Sequence, residues 1–227
     1  MIPQLNKNNL RFPDPRYANE DGILAWGGDL NPVRLINAYQ HGIFPWYAKD
    51  EPILWWSPDP RLIMELDDFK LSRSLKKNIK KFTYKFDSNF SQVIRKCASI
   101  PRKDQAGTWI QNDIIEAYEA LHHMGVVHSI ESYSNDKLVG GLYGIVVGKV
   151  FCGESMFADV SDASKAAYAT LIKHLKYWGY DFIDCQVPTE HLKRLGAKEV
   201  SRDEFINRLE EVNKDKIEHE WEIIDKL

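Results

Sequence analysis

VVHSIESYSNDKLVGGLYGIVVGKVFCGESMF, residues 126–157, holds three apolar segments separated by two turn signals. VVHSIESYS ends at the polar SNDK turn, LVGGLYGIVV ends at GK, and VFCGESMF follows. Segments of this length, rich in β-branched and aromatic residues and bounded by Gly, Asn and Asp, predict three successive strands. The third carries an anomaly, because Glu154 lies inside an otherwise apolar run. A buried carboxylate costs at least a few kcal/mol unless donors meet it or it takes up a proton.

Upstream, NDIIEAYEALHHMG (112–125) predicts a helix with an Asn cap, an apolar stripe of Ile114, Ile115, Tyr118, Leu121 and Met124, and a terminal Gly125. Downstream, SDASKAAYATLIKHLKYWG (161–179) places Ala167, Leu171, Leu175 and Trp178 on one stripe. Then come a strand FIDCQV, a short helix TEHLKRLG, a strand AKEV, and SRDEFINRLEEV with a capping box from Ser201 to Glu204. The last fifteen residues are polar and predict a helix extension or a loose tail. Strand, strand, strand, helix, strand, helix, strand is the order of a CoA-dependent N-acetyltransferase fold, an analogy of order only. Such enzymes grip the CoA pyrophosphate with a glycine-rich loop at a helix N-terminus. Here no glycine occurs between Gly153 and Gly179.

The first sixty residues differ in composition, with eight of the ten prolines and four of the seven tryptophans. Proline-rich chain is mostly turns and extended segments. One helix is signalled by Asn31 as cap, Pro32 at its first position and Gly42 past its end. The expected fold is therefore α+β, with a small domain over 1–60 and an acetyltransferase-like (GNAT-type) mixed sheet flanked by helices over 61–227.

A net charge of -3 does not exclude a nucleic-acid partner, because charge is unevenly placed. The segment 70–82 reads as a helix with six cations and no acid. Arg73, Lys76, Lys77, Lys80 and Lys81 share one face by their spacing, a phosphate-binding surface or a solvated face. Trp46, Trp55, Trp56 and Trp109 sit beside loop signals, where flat side chains either stack on nucleobases or fill a small core. Three cysteines without CxxC spacing and seven histidines without HExxH argue against metal binding and a disulfide framework. Neither Ser155 nor Cys152 has the flanking pattern of a nucleophile. The longest uncharged run, 138–148, is roughly half of a bilayer span. The N-terminus lacks the pattern of an export signal, so a cytoplasmic protein off the membrane is expected. Asp184 and Gln186 are polar positions in an apolar strand, on one face by period-two alternation.

The segments FPDPRYANEDGILAWGGDL, AYQHGIFPWY, ILWWSPDPR, GTWI, GGLYG, FCGESMF, ASK and IDCQV, in this order from about residue 12 to about 209, resemble the leucyl/phenylalanyl-tRNA-protein transferase family. The resemblance implies transfer of Leu or Phe, with Met as a further donor residue, from aminoacyl-tRNA to the N-terminal Arg or Lys of a protein. The product then enters the N-degron route. It implies a monomer using no cofactor, neither CoA nor metal. By match to the family, Trp46 and Trp109 bracket the terminal adenosine of the tRNA, with Tyr39 nearby. Phe151, Gly153, Glu154 and Ser155 line the aminoacyl pocket, with Leu142 and Leu175 as further walls. Several relatives carry Met and Phe at those last two positions. Asp184 and Gln186 match the proposed catalytic pair.

The implied reaction is aminolysis of an activated ester by a neutral amine, a reaction that orientation alone accelerates substantially. Asp184 is expected to hold and deprotonate the amine, Gln186 to position it, and Glu154 and Asp184 to give the acidic cleft that cationic acceptors need. The rival readings are a CoA-dependent N-acetyltransferase and a non-catalytic RNA-binding module.

Overall fold

The computed structural model describes residues 1–100, 108–215, 217–224 and 227. Two sheets are present among the described residues. The smaller has the order β1-β2-β4-β3, from β1 (Gln4–Leu5), β2 (Ile23–Gly27), β3 (Phe44–Pro45) and β4 (Leu54–Trp56). Helix α1 (Pro32–Gln40) starts where the Asn31 side chain accepts from the Val33 amide at 2.9 Å, as its cap signal requires.

The larger sheet has seven strands in the order β11-β5-β10-β9-β8-β7-β6. The three strands expected over 126–157 are β7 (Val127–Ser134), β8 (Lys137–Val147) and β9 (Val150–Ala158), an antiparallel meander. The expected strands 182–187 and 197–200 are β10 (Phe182–Gln186) and β11 (Lys198–Val200). Two further strands, β5 (Arg61–Glu65) and β6 (Thr83–Phe86), had no clear sequence signal. β5 pairs antiparallel with both β10 and β11, so a segment next to the small domain completes the core of the large sheet.

Opposite faces of this sheet bury different partners. Tyr143, Ile145 and Val147 of β8 pack with α1, α3 (Phe90–Ser99), α4 (Asn112–His123) and α7 (Arg202–Val212). That cluster also takes in Leu24 and Trp55, so one continuous core joins both sheets. The other face packs Leu142 and Phe151 against Ala167, Leu171 and Leu175 of α5 (Ala163–Trp178). Gly140 sets the approach of α5, because a Cβ there would lie 2.5 Å from the Ala163 Cβ. Helix α6 (Glu190–Leu195) leads from β10 to β11.

The basic helix is shorter than expected. α2 spans Arg73–Ile79, capped by Ser72, with Leu75 buried, and Lys80 and Lys81 lie at and beyond its end. The tail is neither a helix extension nor loose: Ile217, Trp221 and Ile223 pack on the α5 side of the core, and Trp221 stacks on His128 at 4.0 Å.

Candidate active site

β9 and β10 run parallel only from Val150↔Phe182 to Cys152↔Asp184. Immediately past that pair each strand carries a β-bulge. On β9, Gly153 pairs with Gly144 and Ser155 with Tyr143, leaving Glu154 as the extra residue. On β10, Asp184 pairs with Ile63 and Gln186 with Leu62, leaving Cys185 as the extra residue. Bulges bend strands and re-aim side chains. Two at the same level part the strands, and a cavity of about 580 Å³ opens between them.

Glu154 lies in the wall of this cavity. Its carboxylate accepts from the Tyr39 hydroxyl at 2.7 Å, the Tyr118 hydroxyl at 3.3 Å and the Gln186 amide at 2.6 Å. Tyr39 and Tyr118 also hydrogen bond to each other. Burial above all, with the nearby Asp184 charge, pushes the Glu154 carboxyl up to about 7 against the three donors that lower it. Burial and the Glu154 charge hold both tyrosines far above the usual phenol range, so they remain donors. The expense of a carboxylate in a strand is thus met by three donors from three other elements, rather than by the open solvation of a cleft.

The remaining walls are mostly apolar. Leu142, Phe151, Met156, Tyr168 and Ile183 line the cavity, as do Phe44, Trp46, Ile100 and Trp109. Gly153 and Ser155 also face the cavity. Leu175 does not: it is fully buried behind the wall in the α5 core. Tyr39 is likewise buried, and acts at the site through its hydroxyl rather than as a surface beside the tryptophans. Trp46 and Trp109 are half-buried at the cavity, whereas Trp55 and Trp56 are structural. Trp55 is wholly enclosed and donates to the Gly27 carbonyl at 2.9 Å. Trp56 donates to the Trp46 carbonyl at 2.5 Å and packs against its ring. Gly107 of the GTWI segment lies outside the described residues.

Asp184 and Gln186 have different surroundings. The bulge at Cys185, with Gln186 at φ +63°, breaks the alternation on which a shared face rested. Gln186 reaches Glu154 and the cavity. Asp184 is buried and does not line the cavity. Arg61 Nε donates to its Oδ1 at 2.8 Å and Nη2 to its Oδ2 at 2.7 Å, and the Gln186 amide N–H donates to Oδ1 at 2.9 Å. The Arg61 guanidinium lies between the Phe44 and Phe205 rings, 4.9 and 4.4 Å from their centroids. Asp184, expected to hold and deprotonate the amine, thus lies behind the cavity wall, where its carboxylate accepts from the Gln186 backbone N–H.

Residues 63–210 match the family described as leucyl/phenylalanyl-tRNA protein transferase, and residues 28–59 match its N-terminal domain. The chain belongs to this family. Leucyl/phenylalanyl-tRNA–protein transferases from Sulfurimonas denitrificans, Nitrosospira multiformis and Thermodesulfovibrio yellowstonii are 68%, 52% and 51% identical to it. The alignments cover 99%, 93% and 98% of this chain, and 98%, 92% and 92% of those proteins. Among solved structures, a GCN5-related N-acetyltransferase-like protein from Streptococcus suis aligns over 70% of this chain and 60% of its own, at a TM-score of 0.35 and 14% identity.

This transferase is thus an enzyme that uses aminoacyl-tRNA as donor and a protein as acceptor. Cys152 and Cys185 are poor nucleophiles: burial holds Cys152 well above the usual thiol range and pushes Cys185 up to about 12. The six cations of the basic segment are all exposed. Lys76, Lys77 and Lys80 share a groove with Lys173 of α5, which the sequence pattern did not connect to them. No helix among the described residues is long and apolar enough to cross a membrane. Sequence reasoning also missed Arg61 and Tyr118, the first because it opens an apolar run and the second because it fits a core stripe.

Proposed function

We propose that the transferase moves Leu or Phe, with Met as a further donor, from aminoacyl-tRNA to proteins beginning with Arg or Lys, marking them for an N-degron route. The reaction is aminolysis: the acceptor's neutral amine attacks the aminoacyl ester and the tRNA leaves with its hydroxyl restored. The observation that carries this reading is the cavity between β9 and β10, apolar along Leu142, Phe151, Met156 and Ile183, with the carboxylate of Glu154 beside them. Apolar walls suit an uncharged apolar side chain such as Leu, Phe or Met, and one hydrogen-bonded carboxylate suits an ammonium or amine. Trp46 and Trp109 at the same cavity suit stacking on the terminal adenosine, and Gln186 suits positioning the amine. The exposed cations Arg73, Lys76, Lys77, Lys80 and Lys81 suit tRNA phosphates.

The N-terminus of α5 favours an RNA-borne donor over CoA. Asp162 caps it, its carboxylate accepting from Asn78 at 2.7 Å and Lys165 at 3.0 Å. A carboxylate at that point opposes a pyrophosphate, and no glycine loop surrounds it. Labelled Phe-tRNA and acetyl-CoA, each offered with a peptide beginning Arg, test the assignment. Phenylalanyl transfer is expected. Acetylation, or tRNA binding without turnover, would overturn it, and equal transfer to an Ala-started peptide would remove the acceptor preference.

A further inference from the structure

We infer that Glu154, not Asp184, takes the proton released by the attacking amine. This rests on the proposed aminolysis. Glu154 faces the cavity, whereas Asp184 is buried behind it with both oxygens engaged by Arg61. A general base must come within hydrogen-bond reach of the proton it removes. Gln186 joins the two acids: its side chain donates to Glu154 at 2.6 Å and its backbone N–H donates to Asp184 at 2.9 Å.

The step balances. The amine nitrogen bonds to the ester carbonyl carbon, and its proton passes to the Glu154 carboxylate. The carbon–oxygen bond to the tRNA ribose breaks, and the proton moves on from Glu154 to the departing ribose oxygen. Glu154 returns as a carboxylate, leaving a new amide and deacylated tRNA. The titratable groups that act on Glu154 are Tyr39 from α1, Tyr118 from α4, Asp184 from β10 and Cys152 on its own strand, and Tyr143, Tyr168, Cys185 and His191 line the same cavity. Tyr39 and Tyr118 remain protonated donors, so they hold the carboxylate without competing for the proton. Burial poises that carboxyl at about 7, close to where a base is most useful at neutral pH.

The test is the pH dependence of kcat/KM for an Arg-started peptide with Phe-tRNA. Two groups must be deprotonated in the wild type, Glu154 and the acceptor amine with a pKa of about 8, so the logarithmic slope approaches about 2 at acid pH. Glu154→Gln should reduce that slope to about 1 and lower the rate about 100-fold. Asp184→Asn should retain the steeper slope at whatever rate remains. Tyr39→Phe removes a donor that stabilises the Glu154 anion, so the lower bend should move to higher pH, and this variant decides the matter if Glu154→Gln is too slow to profile. An unchanged slope in Glu154→Gln, or an unmoved bend in Tyr39→Phe, overturns the inference while aminolysis stands. A wild type that transfers nothing from Phe-tRNA overturns the proposed function itself.

Discussion

Arg61 and Asp184, 123 residues apart in the chain, form a buried bidentate ion pair at 2.8 and 2.7 Å. Arg61 also donates to the Gly42 carbonyl at 3.0 Å, tying β5, β10 and the turn after α1 together behind the cavity. Fork-to-carboxylate geometry of this kind is strong because two charge-assisted hydrogen bonds join the same pair of groups.

Removing one partner strands the other charge in the core, at a cost of about 3–5 kcal/mol. Asp184→Asn is therefore expected to lower the unfolding free energy by an amount on that order, measured by urea denaturation. An apolar pair at both positions should recover much of the loss, since a well-packed replacement of a buried ion pair is often neutral. A fully stable Asp184→Asn protein would show that the pair has no structural role.

Glu154 makes the opposite contribution. Its folded value of about 7 lies above its ordinary 4.5. The folded state holds this proton more tightly than the unfolded chain, so stability from it is fully present below pH 4.5 and falls as pH rises through 7. Above that the carboxylate costs on the order of 3 kcal/mol. Glu154→Gln should be more stable than wild type at pH 8, with the difference vanishing toward pH 4. Thermal unfolding at the two pH values checks the sign.

The tryptophans separate by environment. Trp55→Ala should cost about 3–5 kcal/mol of stability, because the ring is enclosed and edge-on to Phe12 at 4.8 Å. Trp109→Ala should leave most of the stability and weaken aminoacyl-tRNA binding by about 1–3 kcal/mol. Melting temperatures and the KM for Phe-tRNA, read on both variants, should move in opposite ranks.

Reversal of Lys76, Lys77, Lys80 and Lys173 to Glu should weaken tRNA binding. It should also flatten the dependence of affinity on salt, each lost phosphate contact taking about 0.7–0.9 from the logarithmic slope. A binding titration over several salt concentrations reads this directly. An unchanged slope would place the tRNA phosphates elsewhere.

The strand meander, the helices over 112–123 and 163–178 and the capping box at Ser201 were legible because periodicity, caps and glycine stops are local signals. Glu154 stood out for the same reason, as a charge that contradicted its neighbours. β5 was not legible: RLIME is a short apolar run after a proline turn, and its place between β10 and β11 depends on residues more than a hundred positions away. Tyr118 satisfied a helical core pattern with its ring while its hydroxyl served the site, and a pattern of apolar positions does not register the hydroxyl.

By itself the sequence determined the strand meander over 126–157 and the helices that follow caps and stripes, that charge and tryptophan are unevenly placed, and that one carboxylate needs donors. Only the tertiary structure decided that the donors are Tyr39, Tyr118 and Gln186, and that paired bulges at Glu154 and Cys185 open the cavity. It also decided that Asp184 belongs to Arg61 rather than to the cavity surface. The reason is physical: local preference is set by neighbours along the chain, whereas burial, and with it the state of a carboxylate, is set by whatever folding brings across from elsewhere.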